Sequence, residues 1–489
     1  MNSLTRGIPL NHDTLLAILS HLAMGDILSM RQVCRTLRDL TYERSVWTWH
    51  YAEMVRDRQL PCPTMDHTLS QDYMESAVRR DKLIEFAWRR ANPKMESLHF
   101  VRLSASDHNW IGDIQRGLMV PGGKYFLIFS FDKAYTLSLE EPSRSPVSFI
   151  SAQDVNLEGL DIETGNWNTG RPDDGSLTLY VAIVSADGAI NAQTYAFWSA
   201  NFQVSTPTQT YHGQFTLRES QRNVRTRNEL FMFSTANAEH VVVFDWRALL
   251  QGGSFRYYAI RIQDQSLMSW TNDLRDFCLL PNGCILAIFS HGLNSLGLFA
   301  SPEFQTAYHL NQPLPVECAT PLWQYHHPVD IHICQPYRVW PLPLCHPHTN
   351  TNESSALVYG ILTRCCYRVD AESEGPKIVG HQTLPAGSRF LPGRTRAITV
   401  ATLDGDDGLH IGCLSYAPKT ELEASSPPSY GTFNISKADV PGWELEGRPQ
   451  LDLSTSQVYF NEESGRMCFL LMEPFPDGRE ACVLVLDFV

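Results

Sequence analysis

Two groups of side chains in this sequence have the types that hold ligands. Cys345, His346 and His348 lie within four residues, with His326, His327 and His332 upstream. Thiolate and imidazole are zinc ligands, but this spacing matches no usual zinc pattern. The Pro-rich surroundings read as a loop insertion, so no metal site is expected. The second group is Arg218, Arg222, Arg225 and Arg227, a basic strip inside an acidic region. Guanidinium groups bind phosphate and carboxylate bidentately. The strip is the candidate contact with a bound partner; the alternative is a solvated loop paired with acidic neighbours. Motifs for bond-making chemistry are missing. There is no P-loop, dinucleotide fingerprint, H-E-x-x-H or G-x-S-x-G. Neither catalysis nor a cofactor is expected.

The bulk properties narrow the partners. The chain has 489 residues and a formal net charge of −14, too long for one ordinary core and too acidic for general nucleic-acid binding. The charge is uneven. Residues 1–95 hold 13 Lys and Arg against 11 Asp and Glu, leaving 26 against 42 for the remainder. Twelve cysteines occur without a single C-x-x-C pair. That usage predicts reduced thiols in the cytoplasm or nucleus rather than a disulfide framework. No apolar run reaches the length of a membrane span, so no membrane partner is expected. The Leu15–Met24 run is interrupted by His21 and preceded by His12 and Asp13, unlike a signal-peptide core.

The elements that would position a binding surface begin with residues 8–50. Leu15, Ile18, Leu19 and Leu22 fall at i, i+3, i+4 and i+7, one stripe of a helix. Asn11 or Asp13 can cap its start. Gly25 is expected to break it and Asp26 to cap a second helix. There Met30, Val33, Leu37 and Leu40 form the apolar side, with Arg31, Arg35 and Arg38 opposite. Trp47 follows a polar turn over residues 41–45.

This segment resembles the F-box. Leu10, Asp13, Leu15, Leu16, Ile18, Leu19, Ser20, Leu22, Asp26, Leu28, Val33, Cys34, Arg35, Leu37, Leu40 and Trp47 match the family pattern in order and spacing. The family's Pro follows the first Leu; here that site is Asn11, and Pro9 sits before Leu10. The resemblance covers about a tenth of the chain. It implies docking on a Skp-type adaptor and, through it, on the cullin and RING subunits of an SCF ubiquitin ligase. It also implies the docking set: Leu10, Asn11, Leu15, Leu16, Ile18, Leu19, Leu22, Ile27, Leu28, Val33, Cys34, Leu37 and Trp47. The physics agrees, because about forty residues with leucines on several faces need a second surface to cover them.

Residues 51–95 read as a helical connector. Arg56-Asp57-Arg58 and Pro61-Cys62-Pro63 mark a loop, and Thr68 with Gln71 is a possible capping box for the helix that follows. Ala77, Leu83, Ile84, Ala87 and Trp88 give it an apolar side. Arg79-Arg80 and Arg89-Arg90 read as a solvated face. Asn92-Pro93 ends the helix.

Beyond Pro93 the period becomes alternating. A phrase recurs: Pro, a turn residue, Gly, then an apolar strand, as at Pro121-Gly122-Gly123 and Pro281-Asn282-Gly283. Seven hairpins start near residues 124, 176, 229, 284, 356, 396 and 466, about 57 residues apart on average. Six are followed by a candidate outer strand, among them TAYHL at 306–310. The seventh ends the chain, and LHFVRL at 98–103 is a ready replacement. These features predict a mainly β protein, with a small N-terminal all-α F-box (1–50), a connector (51–95) and a large C-terminal β-propeller (96–489) of seven blades closed by an N-terminal strand. The alternative is a pair of irregular β-sandwiches.

Together these features predict a non-catalytic substrate receptor that presents an unknown client protein on its β domain. A non-degradative F-box scaffold is the second reading. A propeller-face enzyme using paired carboxylates is the third.

Overall fold

The computed structural model describes residues 11–58, 70–88 and 95 and, within 97–488, the elements named below with part of the chain between them. The stretches of six or more residues outside it are 1–10, 59–69, 89–94, 104–113, 165–180, 263–273, 309–315, 327–337, 342–354, 371–376, 382–388, 416–428 and 437–456.

The head is helical. Its described elements are α1 (His12–His21), α2 (Met24–Met30), α3 (Arg35–Leu40), α4 (Arg44–Arg58) and α5 (Gln71–Trp88). Asn11 caps α1: its Oδ1 accepts the Thr14 N–H at 2.7 Å. Gly25 does not break the chain. Two extended residues, Leu22 and Ala23, do so, and Gly25 lies in the first turn of α2. Asp26 is also inside that turn, where its charge complements the helix dipole, but Ala23 is the cap. The stripe from Met30 to Leu40 is two helices, not one, because Cys34 is extended at φ −157° and ψ 166°. Residues 56–58, expected in a loop, complete α4, and Ser70 rather than Thr68 stands at the start of α5, its Oγ accepting the Tyr73 N–H. Thr68 and Arg89-Arg90 lie outside the described residues. Leu19, Ile27, Leu40, Val46, Trp47 and Tyr51 form the head core together with Met74 and Val78 of α5.

The body is built from antiparallel sheets. β1 (Ser97–Leu103) comes first in the chain but joins the last sheet. Blade 1 is β2 (Ile114–Met119), β3 (Tyr125–Ser130), β4 (Lys133–Ser138) and β5 (Val147–Ser151). Blade 2 is β6 (Asp161–Thr164), β7 (Val181–Asp187), β8 (Ala192–Asn201) and β9 (Thr208–Leu217). Blade 3 is β10 (Gln221–Arg227), β11 (Leu230–Thr235), β12 (His240–Asp245) and β13 (Phe255–Ile262), with α6 (Trp246–Leu250) inserted before β13. In blade 4, β14 (Leu274–Leu279), β15 (Ile285–Phe289) and β16 (Ser295–Phe299) are followed, after β17 (Gln305–Ala307) and β18 (Val316–Ala319), by β19 (Pro321–His326). Blade 5 is β20 (Arg338–Pro341), β21 (Ser355–Gly360), β22 (Cys365–Asp370) and β23 (Lys377–His381). Blade 6 is β24 (Arg389–Pro392), β25 (Arg396–Thr402), β26 (Gly408–Ser415) and β27 (Ser429–Ser436). Blade 7 is β28 (Gln457–Asn461), β29 (Arg466–Phe475) and β30 (Gly478–Asp487), with β1 as its outer strand.

Among the described residues, the seven expected hairpins are middle strands of seven sheets. The Pro-x-Gly turns work as their chemistry requires: Gly123 and Gly283 have φ of +66° and +85°, where a side chain would be strained. β1 pairs with β30 over its whole length, from Ser97 opposite Asp487 to Leu103 opposite Ala481. One outer strand is corrected. The segment expected at 306–310 contributes β17, but β17 pairs with β13 of blade 3, and β18 extends the same edge in parallel. The outer strand of blade 4 is β19, paired with β16. A strand pattern encodes which face is apolar, not which edge the strand joins.

The first strands of the sheets neighbour one another: β2 beside β28, β6 beside β10, β10 beside β14, β14 beside β20 and β24 beside β28. Apolar seams join the sheets. Phe129 and Trp198 share one between blades 1 and 2, Phe197 and Phe231 one between blades 2 and 3, and Tyr258 and Phe277 one between blades 3 and 4. Ile411 and Phe469 meet between blades 6 and 7, and Phe126 and Leu470 between blades 7 and 1. The Gly117 N–H of blade 1 also donates to the Tyr459 hydroxyl of blade 7 at 2.9 Å. This is a propeller-like body whose last sheet packs on its first.

Candidate functional site

Burial divides the proposed docking set. Leu19, Ile27 and Trp47 are folded into the head's own core. Their contribution to any contact runs through the helices they hold. Leu15, Leu16, Leu22, Leu28 and Leu37 are half-buried, and Asn11 and Cys34 are exposed. Ile18 and Val33 are 40% and 70% exposed. Leu10 lies outside the described residues. Two aromatic residues that the sequence reading did not single out are also open: Tyr42 at 48% and Trp49 at 46%. Trp49 rests its ring on the edge of His21, with centroids 5.5 Å apart. The signal for it was available. In α4 the inward residues Val46, Trp47, His50, Tyr51 and Met54 follow helical spacing, which turns Trp49 outward once a helix through residue 58 is recognised.

The head is tied to α5 by a bidentate ion pair. The two terminal nitrogens of Arg31 reach the two Glu75 carboxylate oxygens at 2.7 and 2.8 Å. Its Nε donates to the Thr41 hydroxyl at 2.9 Å, and its guanidinium lies 4.1 Å from the Tyr42 ring centroid. Trp47 donates its indole N–H to the Thr41 carbonyl at 2.8 Å. Hydrogen bonding to Glu75, more than burial, sets the direction of the Arg31 pKa, which is raised. Arg31 is therefore not on a solvated face. It locks the corner between α2 and α3 onto α5.

At its other end α5 enters the body. Ile84 and Trp88 belong to the core cluster of blades 6 and 7. The Trp88 ring stacks on Phe460 at 5.4 Å and meets Phe488 edge-on. Arg80 donates to the Ser464 carbonyl at 3.1 Å. Burial, and then the neighbouring Arg466, lower its pKa. Arg79 pairs with Glu75 at 3.6 Å. One helix of 18 residues thus belongs to two cores, the head's through Met74 and Val78 and the body's through Ile84 and Trp88.

The arginine strip is placed differently from expectation. Arg222, Arg225 and Arg227 lie on β10, the first strand of blade 3, opposite Ser234, Met232 and Leu230 of β11. They are on a strand rather than a loop, and the register shifts between Arg222 and Arg225. Arg218 lies outside the described residues, as do Cys345, His346 and His348. Among the described residues no group of three or more His, Cys, Asp or Glu side chains could hold a metal ion. Nor is any described helix long and apolar enough to cross a membrane.

Comparison with protein-family models gives one match, F-box-like, over residues 12–53. Comparison with curated proteins gives none. Among solved structures, the chain is similar to the WD40 domain of SCAP from fission yeast at 10% identity and a TM-score of 0.38, covering 77% of this chain and 85% of that one. It is also similar to YCF48 bound to D1 peptide at 9% identity and a TM-score of 0.36, covering 81% and 97%.

Proposed function

We propose, from the F-box-like domain that residues 12–53 form, that the chain is a substrate receptor of an SCF-type ubiquitin ligase. The head docks on a Skp-type adaptor and through it on cullin and a RING subunit. The propeller-like body holds a client protein. The chain makes and breaks no bond itself; it supplies proximity, holding the client near the ubiquitin-carrying enzyme. Such complexes work in the cytoplasm and nucleus, and the thiol usage supports the same location for this chain.

One observation carries the reading beyond the family match. The head exposes Ile18 and Val33 while α5 fixes its core to the body. A receptor needs both a sticky docking surface and a stiff mount. The exposed members of the set are the direct contacts, and Leu19, Ile27 and Trp47 keep them in place. For the client, Arg218, Arg222, Arg225 and Arg227 are the proposed contact with anionic groups.

The test is co-purification of the full chain with the adaptor and cullin, wild type against an Ile18→Asp/Val33→Asp double variant. The variant should keep its thermal midpoint and lose both partners. Equal recovery of adaptor by the two proteins would sink the docking reading. Adaptor without cullin would favour the non-degradative scaffold. Client capture before and after phosphatase treatment tests the arginine strip.

A further inference from the structure

The first strand of each blade is its inner edge, where blade neighbours blade. These strands do not share the charge of the body around them. β2, β6, β10, β14, β20, β24 and β28 carry seven Arg and three acidic residues. The body as a whole carries 26 basic and 42 acidic residues. An acidic body therefore has basic inner edges.

Register places these charges at one level. In the second strands Phe126, Phe231, Ile285 and Met467 are equivalent, each lying in the core shared with the preceding blade. Three residues further on, the inner strands set Arg116, Arg222, Asp276 and Gln457 opposite. Ala356 and Ala397 pair with Pro341 and Pro392, which end their inner strands as Met119 ends β2. The same count from them gives Arg338 and Arg389. In blade 2 Val181 lies opposite Trp198, which packs toward the preceding blade, and the count from it gives Asp161. On the neighbouring strands β6, β10, β14 and β20 the level thus alternates in sign, and Asp161 and Asp276 offset Arg222 between them. On the neighbouring strands β24, β28 and β2 it reads Arg389, Gln457, Arg116, and these three strands hold no Asp or Glu.

The centre of this second group is held in place. The Gln457 Oε1 accepts the Gly117 N–H at 3.2 Å and the Tyr459 hydroxyl. Blade 7 is thereby tied to the residue that follows Arg116. An amide held through its oxygen offers its nitrogen as a donor. Arg116 itself is exposed.

We propose that Arg389, Gln457 and Arg116 form an anion site on the inner edges of blades 6, 7 and 1, and that its ligand is a compact polyphosphate compound. Guanidinium forks and an amide donor match phosphate oxygens. A carboxylate brings one charge against two arginines. The strand β28 separates those arginines, so one phosphate meets one fork and linked phosphates meet both. A phosphorylated side chain of a client shares the phosphate chemistry but brings a single phosphate, which leaves one arginine unmatched. The site is separate from the arginine strip of blade 3 and from the adaptor-docking head, so each reading can fail alone.

The test is calorimetric titration of the full chain with tripolyphosphate at about 0.15 M salt, where attraction between distant surface charges is screened. One equivalent should bind, and hydrogen exchange should slow in residues 114–119 and 457–461. Arg116→Gln and Arg389→Gln should each bind about tenfold more weakly, as expected for loss of a hydrogen bond to a charged group. Arg338→Gln makes the same change in net charge on the other group of strands and should bind as wild type does. Each variant is compared at an unchanged thermal midpoint. Where a Gln variant of Arg116 or Arg389 loses its midpoint, the Lys variant, which keeps the charge without the fork, replaces it under the same criterion. Absence of binding, unchanged exchange in both strands, or undiminished binding by the stable variants would each overturn the proposal. Equal weakening in Arg338→Gln would also do so, because it would show attraction by net charge alone. So would tighter binding of an otherwise neutral peptide with one phosphoserine, which would assign the phosphate to a client.

Discussion

Arg466 and Asp487 face each other across β29 and β30, both buried, and their ion pair is where four parts of the molecule meet. Arg466 also donates to the Gly123 carbonyl of blade 1. Asp487 also accepts from the Ser97 hydroxyl of β1 at 3.2 Å. Arg80 of α5 lies close enough for the Arg466 charge to lower its pKa. One pair therefore touches the seam between the last and first blades, the strand that completes blade 7, and the helix that carries the head.

Replacing Asp487 by Asn should cost about 3–5 kcal/mol, because it leaves the Arg466 guanidinium buried without its counter-charge. The loss should be read by thermal unfolding. Hydrogen exchange should rise first in residues 97–103, which lose the Ser97 contact. Exchange unchanged there would mean that β1 is held by its ladder alone.

Glu75→Gln should loosen the head from α5 by about 3 kcal/mol. Arg31→Lys should recover little, since an ammonium cannot reach both carboxylate oxygens and the Thr41 hydroxyl in one plane. A double-mutant cycle on Arg31 and Glu75 should give a coupling energy above about 1 kcal/mol. A coupling near zero would make the pair incidental.

Gly465→Ala tests the lower mount. Gly465 has φ +62°, and a Cβ there would sit 2.9 Å from the Ile84 side chain. Strain and overlap together should cost about 1–3 kcal/mol. Faster exchange in residues 80–88 is the expected signature, with blades 2 to 4 unaffected.

Core and surface residues of the head should separate cleanly. Leu19→Ala and Ile27→Ala should each destabilise by about 2–5 kcal/mol. Ile18→Asp and Val33→Asp should stay within about 0.5 kcal/mol of wild type, as exposed positions do. Adaptor recovery should follow stability in the first pair and fall without a stability change in the second.

Thiol labelling of the native protein should be selective. Cys34 and Cys318 are exposed, whereas Cys413, Cys468 and Cys482 are buried. Burial pushes the Cys413 and Cys468 thiols far up. Deprotonation is thus disfavoured at ordinary pH, and the thiolate is the reacting species. A maleimide should modify Cys34 and Cys318 quickly and leave Cys413 and Cys468 untouched until denaturant is added.

The sequence was readable where structure is local. A hairpin joins neighbouring residues, so alternation and Pro-x-Gly turns located all the middle strands, and a leftover strand at each end located the pairing of β1 with β30. The addition of β17 and β18 to blade 3 was not readable, since edge choice depends on what else is free. The bond between Arg31 and Glu75 spans 44 positions, and no periodicity links them. In the head, helical spacing found the apolar residues but not their sorting. Leu19 and Ile18 are adjacent, yet one is core and the other surface, and only the packing of α4 and α5 decides which.

An α-helix advances about 100° and 1.5 Å per residue. Because α5 is gripped by Met74 and Val78 at one end and by Ile84 and Trp88 at the other, the residues between are a fixed count of degrees. A single insertion between Val78 and Ile84 would swing everything carried by the head through more than a quarter turn while lengthening the molecule by less than a bond pair. The bearing on which the body faces the head is thus written in the number of residues separating two grips, and a change of reach and a change of heading cannot be made independently there.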